Sequence, residues 1–96
     1  MTVDRRLLNC AMLENLEGIK DALERGADID AKDKQGDNAL IWAAYKGNTV
    51  IVRFLIEKGA NVNAKNIYGW DALVYAEREC NAKMIELLKE SCVKRG

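Results

Sequence analysis

The residues with chemistry to offer are few and poorly placed for catalysis. The 96-residue chain has three cysteines, Cys10, Cys80 and Cys92, and no histidine. A nucleophile or an acid–base pair normally leans on an imidazole, and here there is none. The cysteines lack CxxC spacing, so neither a thiolate metal site nor a disulfide framework is expected, and a reducing cytoplasm suits them best. No glycines form GxGxxG or GxxxxGK[ST], the loops that cradle phosphates. Fifteen acidic and fifteen basic residues are interspersed to a net charge of zero, which reads as solvated surface. Without a basic run, nucleic acid is a poor partner. What stands out is apolar. The stretch Asn66-Ile67-Tyr68-Gly69-Trp70 has the Asn and Gly of a turn but carries Ile, Tyr and Trp where polar residues are usual. Tyr and Trp are the residues that most often dominate binding energy, at about 2 kcal/mol or more each.

The elements that must position these residues repeat every 33 positions. Residues 59–77 aligned with residues 26–44 give eight identities in nineteen positions, among them Gly26/Gly59, Gly36/Gly69, Leu40/Leu73 and Ala43/Ala76. Near-isosteric swaps fill seven more, including Asp33/Asn66, Asn38/Asp71 and Trp42/Tyr75. Asn15, Asn48 and Asn81 share the spacing. A fixed period of this size means stacked copies of one small unit. In the middle copy, Asp33-Lys34-Gln35-Gly36 reads as a turn. Asn38 caps a short helix over 39–46, which Gly47 stops. Asn48 caps a second helix over 49–58, which Gly59 stops. Ile51, Val52, Leu55 and Ile56 form one apolar helical stripe, and Ala39, Leu40, Ala43 and Ala44 a small-residue face for close packing.

This turn–helix–loop–helix unit resembles the ankyrin repeat over about residues 4–92. The residues that carry the resemblance are Gly36, Leu40, Ala43-Ala44, Gly47, Ile51-Val52, Leu55-Ile56 and the run Gly59-Ala60-Asn61-Val62-Asn63-Ala64-Lys65. The helix starts depart from the family's Thr-Pro-Leu-His, reading Asn38-Ala39-Leu40-Ile41 and Asp71-Ala72-Leu73-Val74. Losing Pro and His implies a somewhat less rigid stack. The resemblance implies an all-α fold: an ankyrin-type α-solenoid of helix–loop–helix units joined by β-turn, hairpin-like loops. One domain spans 1–96, divided into an N-terminal capping repeat (1–32), a full repeat (33–65) and a C-terminal capping repeat (66–96). The division rests on charge at the ends: Glu77, Lys83 and Lys89 stand where Ala44, Val50 and Ile56 stand in the middle unit, and Asp21 stands where Phe54 does. A complete three-unit stack is expected, with a fragment of a longer array as the alternative.

Function follows from the same resemblance. It implies a non-catalytic module that binds a partner protein through its concave face and turn tips. Position by position, that face is Lys34, Gln35, Asp37, Tyr45 and Lys46 in the second unit and Ile67, Tyr68, Trp70, Arg78 and Glu79 in the third, with Met12 and Leu13 in the first. The alternative is that Tyr68 and Trp70 fold back to shield the terminal repeat. Trp42 and Tyr75 are read as packing residues and Cys10 as a small core residue. Cys80 and Cys92 align with helix-stop glycines and are expected at helix C-termini. Asn63 sits in a Val-Asn-Ala context that resembles hydroxylation sites of the family. No cofactor, metal or catalytic residue is expected, and an enzyme or small-molecule binder is the last reading. No apolar run approaches the roughly 18–20 residues of a membrane span, and the start reads as an amphipathic helix without a cleavage region. A cytoplasmic monomer is expected, with a homodimer as the alternative.

Overall fold

Side-chain caps decide where each helix begins. The computed structural model describes residues 2–95, with side chains through Ser91. Its helices are α1 (Val3–Met12), α2 (Leu16–Glu24), α3 (Ala39–Lys46), α4 (Thr49–Glu57), α5 (Ala72–Arg78) and α6 (Ala82–Arg95). Among the described residues there is no strand. The Asn15, Asn38, Asn48, Asp71 and Asn81 side chains each accept a hydrogen bond from the amide three residues on, at 2.8–3.2 Å. That satisfies one otherwise orphaned N–H at each helix start. α3 has the predicted bounds, and α4 ends one residue early, with Lys58 as its C-cap.

The helix stops expose a constraint of the stack. Glu14, Gly47 and Cys80 are repeat equivalents, and all three have positive φ, at 58°, 74° and 54°. The loop between paired helices therefore demands a left-handed residue in every unit, whether or not glycine supplies it. For Glu14 and Cys80 that conformation costs about 1 kcal/mol each. Cys92 differs from expectation. It lies inside α6 and not at a helix end, because nothing there acts as the left-handed stop that Gly59 provides at φ 94°. Its side chain lies outside the described residues.

Packing follows the small-residue face. α1, α3 and α5 stack side by side, each backed by its partner α2, α4 or α6. Ala11, Ala39, Ala43, Ala44, Ala72 and Ala76 are all buried between neighbours. Leu7, Ile19, Leu40, Ile51, Leu55, Met84 and Leu88 fill the layer between inner and outer helices. Cys10 is buried there, as expected, and its position explains a glycine. A Cβ on Gly18 would come within 2.5 Å of Cys10 Sγ. The equivalent pairs are Ala43/Ile51 and Ala76/Met84, so a larger residue on the inner helix is matched by a smaller one on the outer helix. Glu77, Lys83 and Lys89 are exposed.

Candidate partner-binding face

Two equivalent side chains build the turn tips. Asp33 Oδ1 accepts from the amides of Gln35 and Asp37 at 3.0 and 2.9 Å. Asn66 Oδ1 accepts from the amides of Tyr68 and Trp70 at 2.9 and 3.1 Å. Backbone bonds close both loops, Asp33 N to Asp37 O at 3.0 Å and Asn66 N to Trp70 O at 2.9 Å, which gives the hairpin-like shape. The tips then stack: Ile67 N donates to Gln35 O at 2.9 Å, and Asn66 Nδ2 donates to Asp37 Oδ1 at 3.0 Å. Gly36 is needed for this approach, since a Cβ there would meet Ile67 N at 3.0 Å while holding φ at 80°.

The second terminal atom of each organiser reaches the inner helix of its own unit, with opposite polarity in the two. Asp33 Oδ2 accepts from Trp42 Nε1 at 2.9 Å. Asn66 Nδ2 donates to the Tyr75 hydroxyl at 3.1 Å. An indole can only donate, so it needs a carboxylate; a phenol also accepts, so it can take an amide. The swaps Asp33/Asn66 and Trp42/Tyr75 are thus one coupled change. Taken one at a time, the swaps look unrelated, and Trp42 and Tyr75 look like packing residues. The shared spacing of the two swaps was the available signal.

These rings form a chain that runs across α3 and α5 to the third unit's turn. Trp42 meets Tyr45 with centroids 5.8 Å apart, Tyr45 meets Tyr75 at 5.7 Å, and Tyr75 meets Trp70 at 5.3 Å, all edge-to-face. The Arg78 guanidinium lies 4.7 Å from the Trp70 ring centroid, and Lys46 Nζ 5.9 Å from that of Tyr45. Lys34, Gln35, Ile67 and Tyr68 are exposed at the tips, and Tyr45, Lys46, Arg78 and Glu79 at the helix edge. Tyr45, Ile67 and Tyr68 expose 56, 66 and 65% of their surface, far more than apolar rings and branches need for folding. Asp37 and Trp70 are half-buried and already engaged, the one by Asn66 and the other between Tyr75 and Arg78. The two aromatics of the third turn therefore part company: Trp70 folds back, Tyr68 does not. In the first unit Met12 is half-buried and Leu13 exposed.

Burial pushes the Asp37 carboxyl above its ordinary value of 3.8; the Asn66 hydrogen bond pulls it down and the Asp33 charge pushes it up further. Beside this face, between α1 and the first turn, runs an open groove of about 1010 Å³ whose walls include Arg5, Leu8, Met12, Lys34 and Trp42. A smaller hollow of about 440 Å³ lies on the outer helices around Leu16, Val50 and Phe54. Among the described residues no group of three or more His, Cys, Asp or Glu side chains could hold a metal ion, and no helix is long and apolar enough to cross a membrane.

A stack of paired helices with hairpin-like tips and an inner-helix face is the architecture that the family comparison identifies. The model for ankyrin repeats, in three copies, matches residues 7–95. The chain belongs to the ankyrin repeat family, whose members are generally protein–protein interaction modules. No curated protein is similar enough to count as a match.

Proposed function

We propose that this chain is a non-catalytic module that docks a partner protein on the surface formed by Lys34, Gln35, Tyr45, Lys46, Ile67, Tyr68, Arg78 and Glu79, with Asp37 and Trp70 supporting it from beneath. One observation carries the reading: Tyr45, Ile67 and Tyr68 are mostly exposed on a side whose neighbouring rings are already packed. Rigid aromatics on a fixed scaffold lose little entropy on binding. The division into capping and full repeats and a cytoplasmic setting complete this proposal. The test is capture of partners from host lysate by the wild type and by Tyr45→Ala/Tyr68→Ala, at physiological salt. Tyr68 is mostly exposed, whereas Tyr45 packs edge-to-face on Trp42 and Tyr75, so the variant should keep its helicity but melt at a lower temperature, and capture is carried out well below both transitions. A partner held only by the wild type supports the assignment, and an identical set on both proteins refutes it. The same patch supports a second reading, a homodimer. Sedimentation velocity tests it: a dimer abolished by the double substitution would favour self-association, and a monomer at high concentration would exclude it.

A further inference from the structure

An early start to α1 leaves a gap in the stack of tips. α1 begins at Val3, whereas the repeat equivalent of Ala39, where α3 begins, is Arg6. Thr2 is the equivalent of Gln35, whose carbonyl takes the Ile67 amide at 2.9 Å. Thr2 O instead accepts from Arg6 N at 3.1 Å, as part of the helix start. The Lys34 amide, equivalent to that of Ile67, therefore bonds no group among the described residues. Lys34 lies on the wall of the open groove of about 1010 Å³ between α1 and the Asp33 turn. The run into that turn is also less covered than its counterpart. Ala27, Ile29 and Asp33 are half-buried, whereas Ala60, Val62 and Asn66 expose only 1, 3 and 7% of their surface. Between the second and third units the chain fills the equivalent place itself, with residues 26–37. Asp30 Oδ1 accepts from Asn61 N at 2.8 Å, and Lys32 Nζ donates to Lys65 O at 3.0 Å. Gln35 O accepts from Ile67 N, and Asp37 Oδ1 from Asn66 Nδ2.

We propose that the groove docks an extended segment of a partner protein that runs into a tight turn, with a side-chain donor opposite Asp33. A carbonyl of that turn takes the Lys34 amide, as Gln35 O takes that of Ile67. Net charge selects nothing here, since Asp4, Asp28 and Asp33 share the groove with Arg5, Lys32 and Lys34. Polarity at one position does. In the filled joint an amide of the later turn, on Asn66, meets a carboxylate of the earlier one, on Asp37. At the groove the later turn carries Asp33, which already accepts three bonds and has room for about one more. The facing side chain must therefore donate, as Asn does, and Asp is disfavoured. The occupant's class, a polypeptide, rests on the protein-binding reading; the site does not. The groove adjoins the Tyr45–Tyr68 surface and shares Lys34 and Gln35 with it, but needs neither tyrosine.

The test uses the chain's own filler as probe: a capped synthetic peptide with the sequence of residues 26–37 and the single change Asp37→Asn. Titrated into the isotope-labelled protein, it should give saturable amide shifts at Asp28, Lys34 and Gln35 and at the Trp42 indole. The peptide that keeps Asp37 should bind more weakly, and a scrambled one should not bind. Two protein variants separate the backbone donor from the lysine charge. Lys34→Pro deletes the amide at the second position of a turn closed by Gly36 N to Asp33 O, where proline is favoured. It should weaken binding roughly five- to tenfold, the worth of one hydrogen bond. Lys34→Ala keeps the amide and should change affinity less than about twofold, the low end for an exposed ion pair. Far-UV circular dichroism of both variants should match the wild type. Equal loss in the two variants, or tighter binding by the Asp37 peptide, would overturn the proposed contacts. Shifts confined to Tyr45 and Tyr68 would overturn the groove and leave the protein-binding reading intact. No saturable shift anywhere would overturn the groove and leave that reading to its own capture experiment.

Discussion

Replacing Asp33 by Asn sets donor against donor. The turn amides of Gln35 and Asp37 need an acceptor at Oδ1, so the new Nδ2 must occupy the place of Oδ2, facing the Trp42 indole N–H that now sits 2.9 Å away. A half-buried hydrogen bond to a charged acceptor contributes about 1.5–3 kcal/mol, and an indole left facing an amide adds about 1 kcal/mol of unmet desolvation. Removing the Asp33 charge relieves its repulsion of Asp37 and offsets part of the loss. A net destabilisation of about 2 kcal/mol is expected. Trp42→Tyr alone should lose about 1 kcal/mol, chiefly in buried ring area, because a phenol can still donate to Asp33. The double variant copies the Asn66–Tyr75 pair of the next unit, in which the amide donates to the phenol at 3.1 Å. It should be no worse than Trp42→Tyr alone, so the coupling energy is about 2 kcal/mol in favour of the matched pair. Urea unfolding of the four proteins, followed by circular dichroism with m held constant, measures the cycle. Additivity within about 0.5 kcal/mol would refute the argument, since independent sites add to that precision.

Three further outcomes are expected. Asn38 is fully buried; its Oδ1 caps α3, but its Nδ2 has no partner among the described groups, so Asn38→Thr, which keeps a cap and removes the orphan donor, should raise stability by about 1 kcal/mol by urea midpoint. Cys80→Gly should stabilise by up to about 1 kcal/mol and Gly47→Ala should destabilise by about 1 kcal/mol, because both positions are left-handed. Thermal melts of the two variants should move in opposite directions. The Asp37 carboxyl titrates above 3.8 in the folded state, so folding favours its protonated form and its contribution improves as pH falls through the folded value towards 3.8. Asp37→Asn, whose amide oxygen can still accept from Asn66, should therefore be more stable than the wild type at neutral pH, with the gap closing near pH 3.8; a gap that widens on acidification would refute this.

The fold was legible because its determinants are local and recur. Cap residues at 15, 38, 48, 71 and 81, alanines on one helix face and the left-handed Gly47 are all written in single positions, whereas the left-handed Glu14 and Cys80 follow only from their register with Gly47. For the candidate site, the host element of each residue was legible: 34, 35, 37, 67, 68 and 70 lie in the turns, and Tyr45, Lys46, Arg78 and Glu79 at the ends of α3 and α5. Burial was not legible. Tyr68 and Trp70 are two residues apart on one turn, yet Trp70 is covered by Tyr75 and Arg78, which meet it only after α5 is in place. Asp37 reads as a surface charge until the next turn brings Asn66 to its carboxylate. The end of α6 escaped for a related reason: alignment supplies an equivalent position for Cys92, but a helix stops only where a residue and the chain after it can turn.

The matched donors and acceptors of the turns also bear on how such a chain can change by inheritance. Asp33 and Trp42 lie nine positions apart in one 33-residue unit, as do Asn66 and Tyr75. Gaining or losing a whole unit carries each pair along unbroken. A crossover that joins one copy to another between those two positions gives Asp with Tyr, which is tolerated, or Asn with Trp, which is not. The two recombinants of a single exchange should therefore differ in fitness, so the nine-residue window is a place where exchange between neighbouring copies is selected in one direction.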